Sequence, residues 1–263
     1  MKNVTDNMTT AANDADIRRD NRRALPKYLL ILLCSAVAGG AASFTISSTF
    51  HFGLDGTAEG AAAALAQALE VCAVWGIPVG GAVLLGAAWY LYFSARRRVK
   101  AWDGEDEDAA ETAEQQLNWA LLWGNVQMML SFFFFSASVP APAKESLICL
   151  AAFIVSLALI VLLQQRVVDL ERRLNPEKQG SIYDLHFQKK WMGSCDEAEQ
   201  RQIGQAAYRA FRTVNTVCPF IWCVLMMLDF VFHFGALPAF TVLLTWGVLN
   251  VSYMLEAIRL SRR

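Results

Sequence analysis

The chain has 263 residues, of which 55% are hydrophobic and only 18% charged, with a formal net charge of -1 and a mean hydropathy of +0.32. An ordinary soluble domain carries about a quarter charged residues, so this composition excludes that class, and the balanced charge leaves no footprint for direct nucleic-acid binding. The six cysteines include no C-x-x-C pair, which excludes a zinc ribbon or a thioredoxin-like motif.

Residues 1–24 are polar and carry Arg18, Arg19, Arg22 and Arg23, which reads as a disordered, basic cytosolic tail. The first apolar segment, about 26–50, is long enough to cross a bilayer and follows too long a polar lead for a cleaved signal peptide. Cys34 follows Leu32 and Leu33 rather than a small residue, which argues against a lipoprotein. A second span is expected at about 71–94, preceded by an Ala-rich helical run. Its Gly76-x-x-x-Gly80 motif matches Ala36-x-x-x-Gly40 and Gly39-x-x-x-Ser43 of the first span, so these two helices are expected to pack closely, with self-association into an oligomer as the alternative use of the motif.

A basic stop at Arg96, Arg97, Arg98 and Lys100 precedes an acidic amphipathic stretch, Asp103 to Glu114, that runs into a third span at about 117–139. After Pro140-Ala141-Pro142 comes a fourth span, about 147–165, with no helix breaker before Asn175-Pro176. A helix from Glu145 to Leu174 would be about 45 Å long and must leave the bilayer, and its stripe of Val167, Leu170 and Leu174 then needs a partner outside the membrane. Fifth and sixth spans are expected at about 214–232 and 238–258. With the amino terminus inside, 22 of the 23 Lys and Arg fall on the inner side and only Lys144 outside, so both termini and both large polar connectors are placed in the cytosol. Cys72 and Cys149 would then both lie near the outer surface, where a disulfide is allowed but not established by spacing.

The longest polar interruption, about 166–213, is locally legible. Asn175-Pro176 ends a helix, Gly180 marks a turn, and Ser181 with Asp184 predicts the start of a short helix on which Tyr183, Phe187 and Trp191 share a face beside Lys189 and Lys190. A second box, Ser194-Cys195-Asp196-Glu197, predicts the start of the helix that enters the fifth span. The run Asn175-Pro176-Glu177-Lys178, Gly180-Ser181, Tyr183-Asp184, Phe187, Lys189-Lys190-Trp191 and Ser194-Cys195-Asp196-Glu197-Ala198-Glu199 resembles the signature region of the bacterial membrane protein family called domain of unknown function 3169. The resemblance implies a bacterial cell-membrane protein with no assigned activity and supplies no catalytic residues. That small helix-turn-helix regulators accompany its members points toward regulation. A weak internal repeat, Trp102 with Glu107-Asp108-Ala109 against Trp191 with Asp196-Glu197-Ala198, is explained equally well by two acidic helix starts.

The chemistry is sparse. His186, Cys195, Asp184 and Glu197 match no ligand or nucleophile spacing, so no catalytic residue, metal or cofactor is expected. Asp229 and His233 near the outer end of the fifth span, and Glu256 with Arg259 near the inner end of the sixth, read as interfacial pairs. At membrane depth the polar groups are neutral: Asn118, Asn125, Gln127 and Asn250, which suit contacts between helices better than a transport pathway. The fold expected is all-α, a six-span transmembrane bundle of three hairpins at 25–263, with a cytosolic subdomain from 96–116 and 166–213. The function expected is that of a non-enzymatic regulatory or accessory membrane protein. Tyr183, Phe187, Lys189, Lys190 and Trp191 would bind a cytosolic protein partner. The alternative is a transporter or permease subunit for a small solute, with the intramembrane Asn residues along its pathway.

Overall fold

The computed structural model describes residues 13–34, 37, 72, 75–102, 106–138, 142–232 and 237–261, and among these there are helices, turns and bends but no strand. The helices are α1 over 13–34, α2 Trp75–Ala101, α3 Glu107–Ser138, α4 Ala143–Leu174, α5 Phe187–Gly193, α6 Glu197–Phe232 and α7 Leu237–Ser261. Five of them, α2, α3, α4, α6 and α7, are long and apolar enough to cross a membrane. Only residues 26–34 and 37 of the expected first span are described. Its small-residue motifs, the connector at 51–71 and His233 lie outside the described residues. The described cysteines, Cys72 and Cys149 among them, are free thiols.

By internal packing the described residues divide into two units, one up to residue 195 and the other from residue 196 onward. In the first, α2, α3 and α4 pack along one another. The seam reads directly from the sequence: Ala88, Tyr92 and Ala95 on α2, Ala113, Leu117 and Ala120 on α3, and Leu163, Val167, Leu170 and Leu174 on α4 form one buried cluster. Each set repeats at three- and four-residue steps, so it occupies one helix face, and alanines on α2 and α3 let the backbones approach the branched side chains of α4. The stripe at the end of α4 thus finds its partners on α2 and α3. Between α2 and α3 the link is fixed by Trp102, whose Nε1 donates to the Asp106 carbonyl at 2.8 Å, while Asp106 Oδ1 accepts the Ala109 N–H at 3.1 Å as the N-cap of α3.

Inside α2, Gly81–Leu85 form a π-helical turn. The Gly76-x-x-x-Gly80 motif packs on α3, and the first-span motifs it was matched with lie outside the described residues. A Cβ on Gly76 would stand 2.6 Å from the Phe134 ring, and one on Gly80 would stand 2.8 Å from Gln127 Oε1. The physical reason is local: Gln127 needs a polar partner at this depth, and Gly80 lets it reach the Ile77 carbonyl at 3.4 Å.

In the second unit α6 packs along α7. Asn215 joins them, its Oδ1 accepting from Trp246 Nε1 at 2.6 Å and from Asn250 Nδ2 at 2.8 Å. Phe211 stacks on Tyr253 at 4.4 Å. Pro219 lies inside α6 and has no N–H to offer the Asn215 carbonyl, so one intrahelical hydrogen bond is missing at the residue that carries the interhelical contact. Elsewhere the apolar side chains of both units point outward: Phe132, Leu147 and Ile154 in the first, and Phe220, Met227 and Val248 in the second, are all exposed. Water disfavours such a surface, and hydrocarbon accepts it.

One expectation is corrected at the amino terminus. Residues 13–24, read as part of a disordered tail, are helical in α1. Its inward face runs through Asn13, Asp14, Ile17, Asp20 and Asn21, which meet the end of α4 by polar contacts around the buried Ile17. With a single large apolar residue in two turns, no hydrophobic period marks this helix.

Candidate functional site

The island after α4 is built on the polar face of that helix. Gln165, Asp169 and Arg172 follow one another at helical spacing, opposite the apolar seam. Gln165 is buried and uses both ends of its amide. Its Nε2 donates to Asn21 Oδ1 at 3.0 Å and to Asp169 Oδ1 at 2.7 Å, and its Oε1 accepts from Ser181 Oγ at 3.2 Å and from the Ile182 N–H at 3.0 Å. Arg172, also buried, donates through Nη1 to the Gly180 carbonyl at 3.1 Å and pairs through Nη2 with Asp20 at 3.1 Å. A single helix face therefore clamps α1 on one side and the loop 176–184 on the other. Asn175 closes the end of α4, donating to Glu114 Oε1 of α3 at 2.9 Å.

Gly180 has φ 128°, and a Cβ there would stand 2.9 Å from the Phe187 ring. Beyond it, Asp184 N–H donates to the Ser181 carbonyl at 2.9 Å and Phe187 N–H to the Asp184 carbonyl at 2.9 Å. These are turns, and helix α5 begins only at Phe187. The expected helix from Ser181 is thus shortened, because Ser181 Oγ is taken by Gln165 and does not cap. The second cap is shifted as well: Asp196, not Ser194, caps α6. Glu199 N–H donates to Asp196 Oδ1 at 2.7 Å, and Glu199 Oε2 accepts from the Asp196 N–H at 3.1 Å. Ser194 instead accepts the Gln179 N–H at 3.1 Å and donates to the Trp191 carbonyl at 2.8 Å.

The five residues expected to form a partner surface therefore separate. Tyr183 is buried against Tyr28 of α1, with ring centroids 5.4 Å apart, and burial with nearby Asp169 pushes its hydroxyl above the ordinary range. Phe187 and Trp191 remain together at 5.5 Å, and the buried Lys178 ammonium lies 5.7 Å from the Trp191 ring and 3.3 Å from Cys195 Sγ. Lys190 pairs with Asp184 at 2.7 Å. The Lys190 ammonium, and after it the His186 N–H, hold the Asp184 carboxyl below its ordinary value, while Asp184 raises Lys190. Lys189 is exposed, as are Leu185 and Met192. His186 Nδ1 lies 3.6 Å from Asp184, whereas Cys195 contacts Lys178 and the Trp191 carbonyl. Among the described residues no three His, Cys, Asp or Glu come close enough to hold a metal ion.

The intramembrane polar residues are placed between helices, with one exception. Gln127 is fully buried and donates to Ser131 Oγ at 3.2 Å and Ser156 Oγ at 3.5 Å, joining α3 to α4. Asn125 accepts from Gln164 Nε2 of α4 at 3.2 Å, and Asn250 donates to Asn215. Asn118 is exposed. Composition did not single out Gln165, Arg172, Lys178 or Asn215, although the spacing of 165, 169 and 172 placed the first two on one helix face.

Five apolar helices with outward-facing hydrophobic side chains, and a polar cap folded on the end of one of them, are what a multi-pass membrane protein presents. The chain belongs to the family described as Protein of unknown function (DUF3169), which matches residues 22–257 and so takes in α2 to α6 whole, most of α7 and residues 22–34 of α1. Comparison with curated proteins and with solved structures gives no match.

Proposed function

We propose that the chain is a six-span protein of the bacterial cell membrane, arranged as three hairpins with both termini in the cytosol. On this reading it is a non-enzymatic regulatory or accessory component whose cytosolic island binds a protein partner. The observation that carries it is the polar network in which the buried Gln165 and Arg172 hold Asp20 and Asn21. Joining α4 to α6 needs only a short turn, yet the chain orders a cap that buries charge and amides, an arrangement of a kind retained for specificity more than for stability. With Tyr183 turned inward, the exposed face is Leu185, Lys189 and Met192, and this is where the partner would dock. A photo-crosslinker at Gln188 in native membranes is expected to give one discrete protein adduct that weakens in Lys189→Glu. Adducts to lipid or to the chain itself alone would count against the reading.

A second reading, a transporter or permease subunit, draws on Gln127. Its Oε1 is buried without a hydrogen-bond partner among the described residues, beside the π turn of α2. Solute flux in reconstituted vesicles that falls in Gln127→Leu would favour it, and unchanged flux in that variant and in Asn125→Leu and Asn250→Leu would remove it.

A further inference from the structure

A cleft of about 880 Å³ lies between α1 and the loop 176–190, inside the first unit. Six Lys or Arg and three Asp line it. Of the carboxylates, Asp20 is bound by Arg172 and Asp184 by Lys190, which leaves Asp16 against Arg19, Arg23 and Lys27. Arg19, Arg23 and Lys27 succeed one another at four-residue steps, so they stack on one face of α1, and none makes an ion pair among the described residues. Like charges stacked at that spacing repel and weaken a helix unless an anion lies among them. At the wall of the cleft, Arg172 Nε is buried with no acceptor. We infer that the cleft binds a phosphate-bearing anion, and that its source is the headgroup of an anionic membrane lipid.

The lipid source follows from the mouth of the cleft. Lys27 stands at the start of the apolar run in which Leu29, Leu30, Leu32 and Leu33 are all exposed, the position at which a headgroup phosphate lies next to hydrocarbon. Ile31 and Leu185, respectively 39% and 75% exposed, flank the same opening and offer an apolar path to acyl chains that a soluble phosphate does not need. The volume is in the range that holds a ligand of headgroup size. This site shares only Leu185 with the partner-docking face, and its test uses no partner protein and changes none of Leu185, Lys189 and Met192, so failure here leaves the Gln188 crosslinking result standing.

The test is native mass spectrometry of the full chain purified in detergent and supplied with phosphatidylglycerol or phosphatidylcholine at equal concentration. Wild-type protein is expected to retain phosphatidylglycerol at least about tenfold better, and the triple variant Arg19→Gln, Arg23→Gln, Lys27→Gln to lose that preference with its helix content by circular dichroism unchanged. Arg19→Lys, Arg23→Lys with Lys27→Arg should keep it. If the triple variant fails to fold, Arg23→Gln alone must still lower the preference. Equal retention of the two lipids, or a triple variant that behaves as wild type, overturns the proposal. Displacement of phosphatidylglycerol by millimolar inorganic phosphate assigns the site to a soluble phosphate and overturns the lipid source.

Discussion

Replacing Gln165 by Leu would strand two groups at once, the Ser181 hydroxyl and the Ile182 N–H that its Oε1 accepts. An unsatisfied buried polar group costs about 1–3 kcal/mol, so Gln165→Leu is expected to lower stability by about 2 kcal/mol or more and to raise hydrogen exchange across 176–184, while Gln164→Leu one residue earlier leaves that exchange unchanged. A second expectation concerns pH. Asp184 titrates below the ordinary carboxylate value, so its contribution is complete above that value and is lost as pH falls through the folded-state pKa. Lys190 titrates above 10.5, so its contribution is complete below that value and is lost as pH rises through its own folded-state pKa. Between about pH 5 and 9 the pair therefore contributes a constant, screened and small amount. The difference in unfolding midpoint between wild type and Asp184→Asn should stay level over that window and shrink on acidification below it. Of the aromatic stripe only the pairing of Phe187 with Trp191 was legible from spacing, because Tyr183 lies in the turn before α5 and packs on Tyr28 instead. Gln165, Arg172 and Lys178 were not, since a buried polar residue inside a charged island has the same letter as a solvated one.

Elements were read most faithfully where the chain offers a breaker or a cap that nothing else competes for. α4 ends at Leu174, one residue before Asn175-Pro176, and Asp106 starts α3 where the acidic run predicts a helix. The errors came where a side chain had a better partner in space than in sequence: Ser181 went to Gln165 and Ser194 to Gln179, and each predicted cap moved. The glycine motif of α2 serves α3. Gly80→Leu would drive its side chain into buried Gln127, and overpacking of that kind costs about 1–3 kcal/mol. Thermal unfolding in detergent should show the loss, and Gly86→Leu, with open space at its Cβ, should not show it.

Across the whole molecule, the apolar helices were legible because a bilayer imposes a length and a composition, and α4 shows the consequence. Its 32 residues rise about 48 Å, beyond a hydrocarbon core of about 30 Å, and the excess carries the island. In the proposed orientation, single cysteines at Gln188 and Lys144 in a background without native cysteines should react with an impermeant thiol reagent from opposite faces of the membrane. Labelling of both from one face would refute that topology. The attachment of α1 bears on biosynthesis. Asn13, Asp20 and Asn21 bond to residues 144 to 159 positions later in the chain. At about 5–20 residues per second the ribosome leaves α1 on the order of ten seconds without its partner, so α1 must wait for α4 before it is secured.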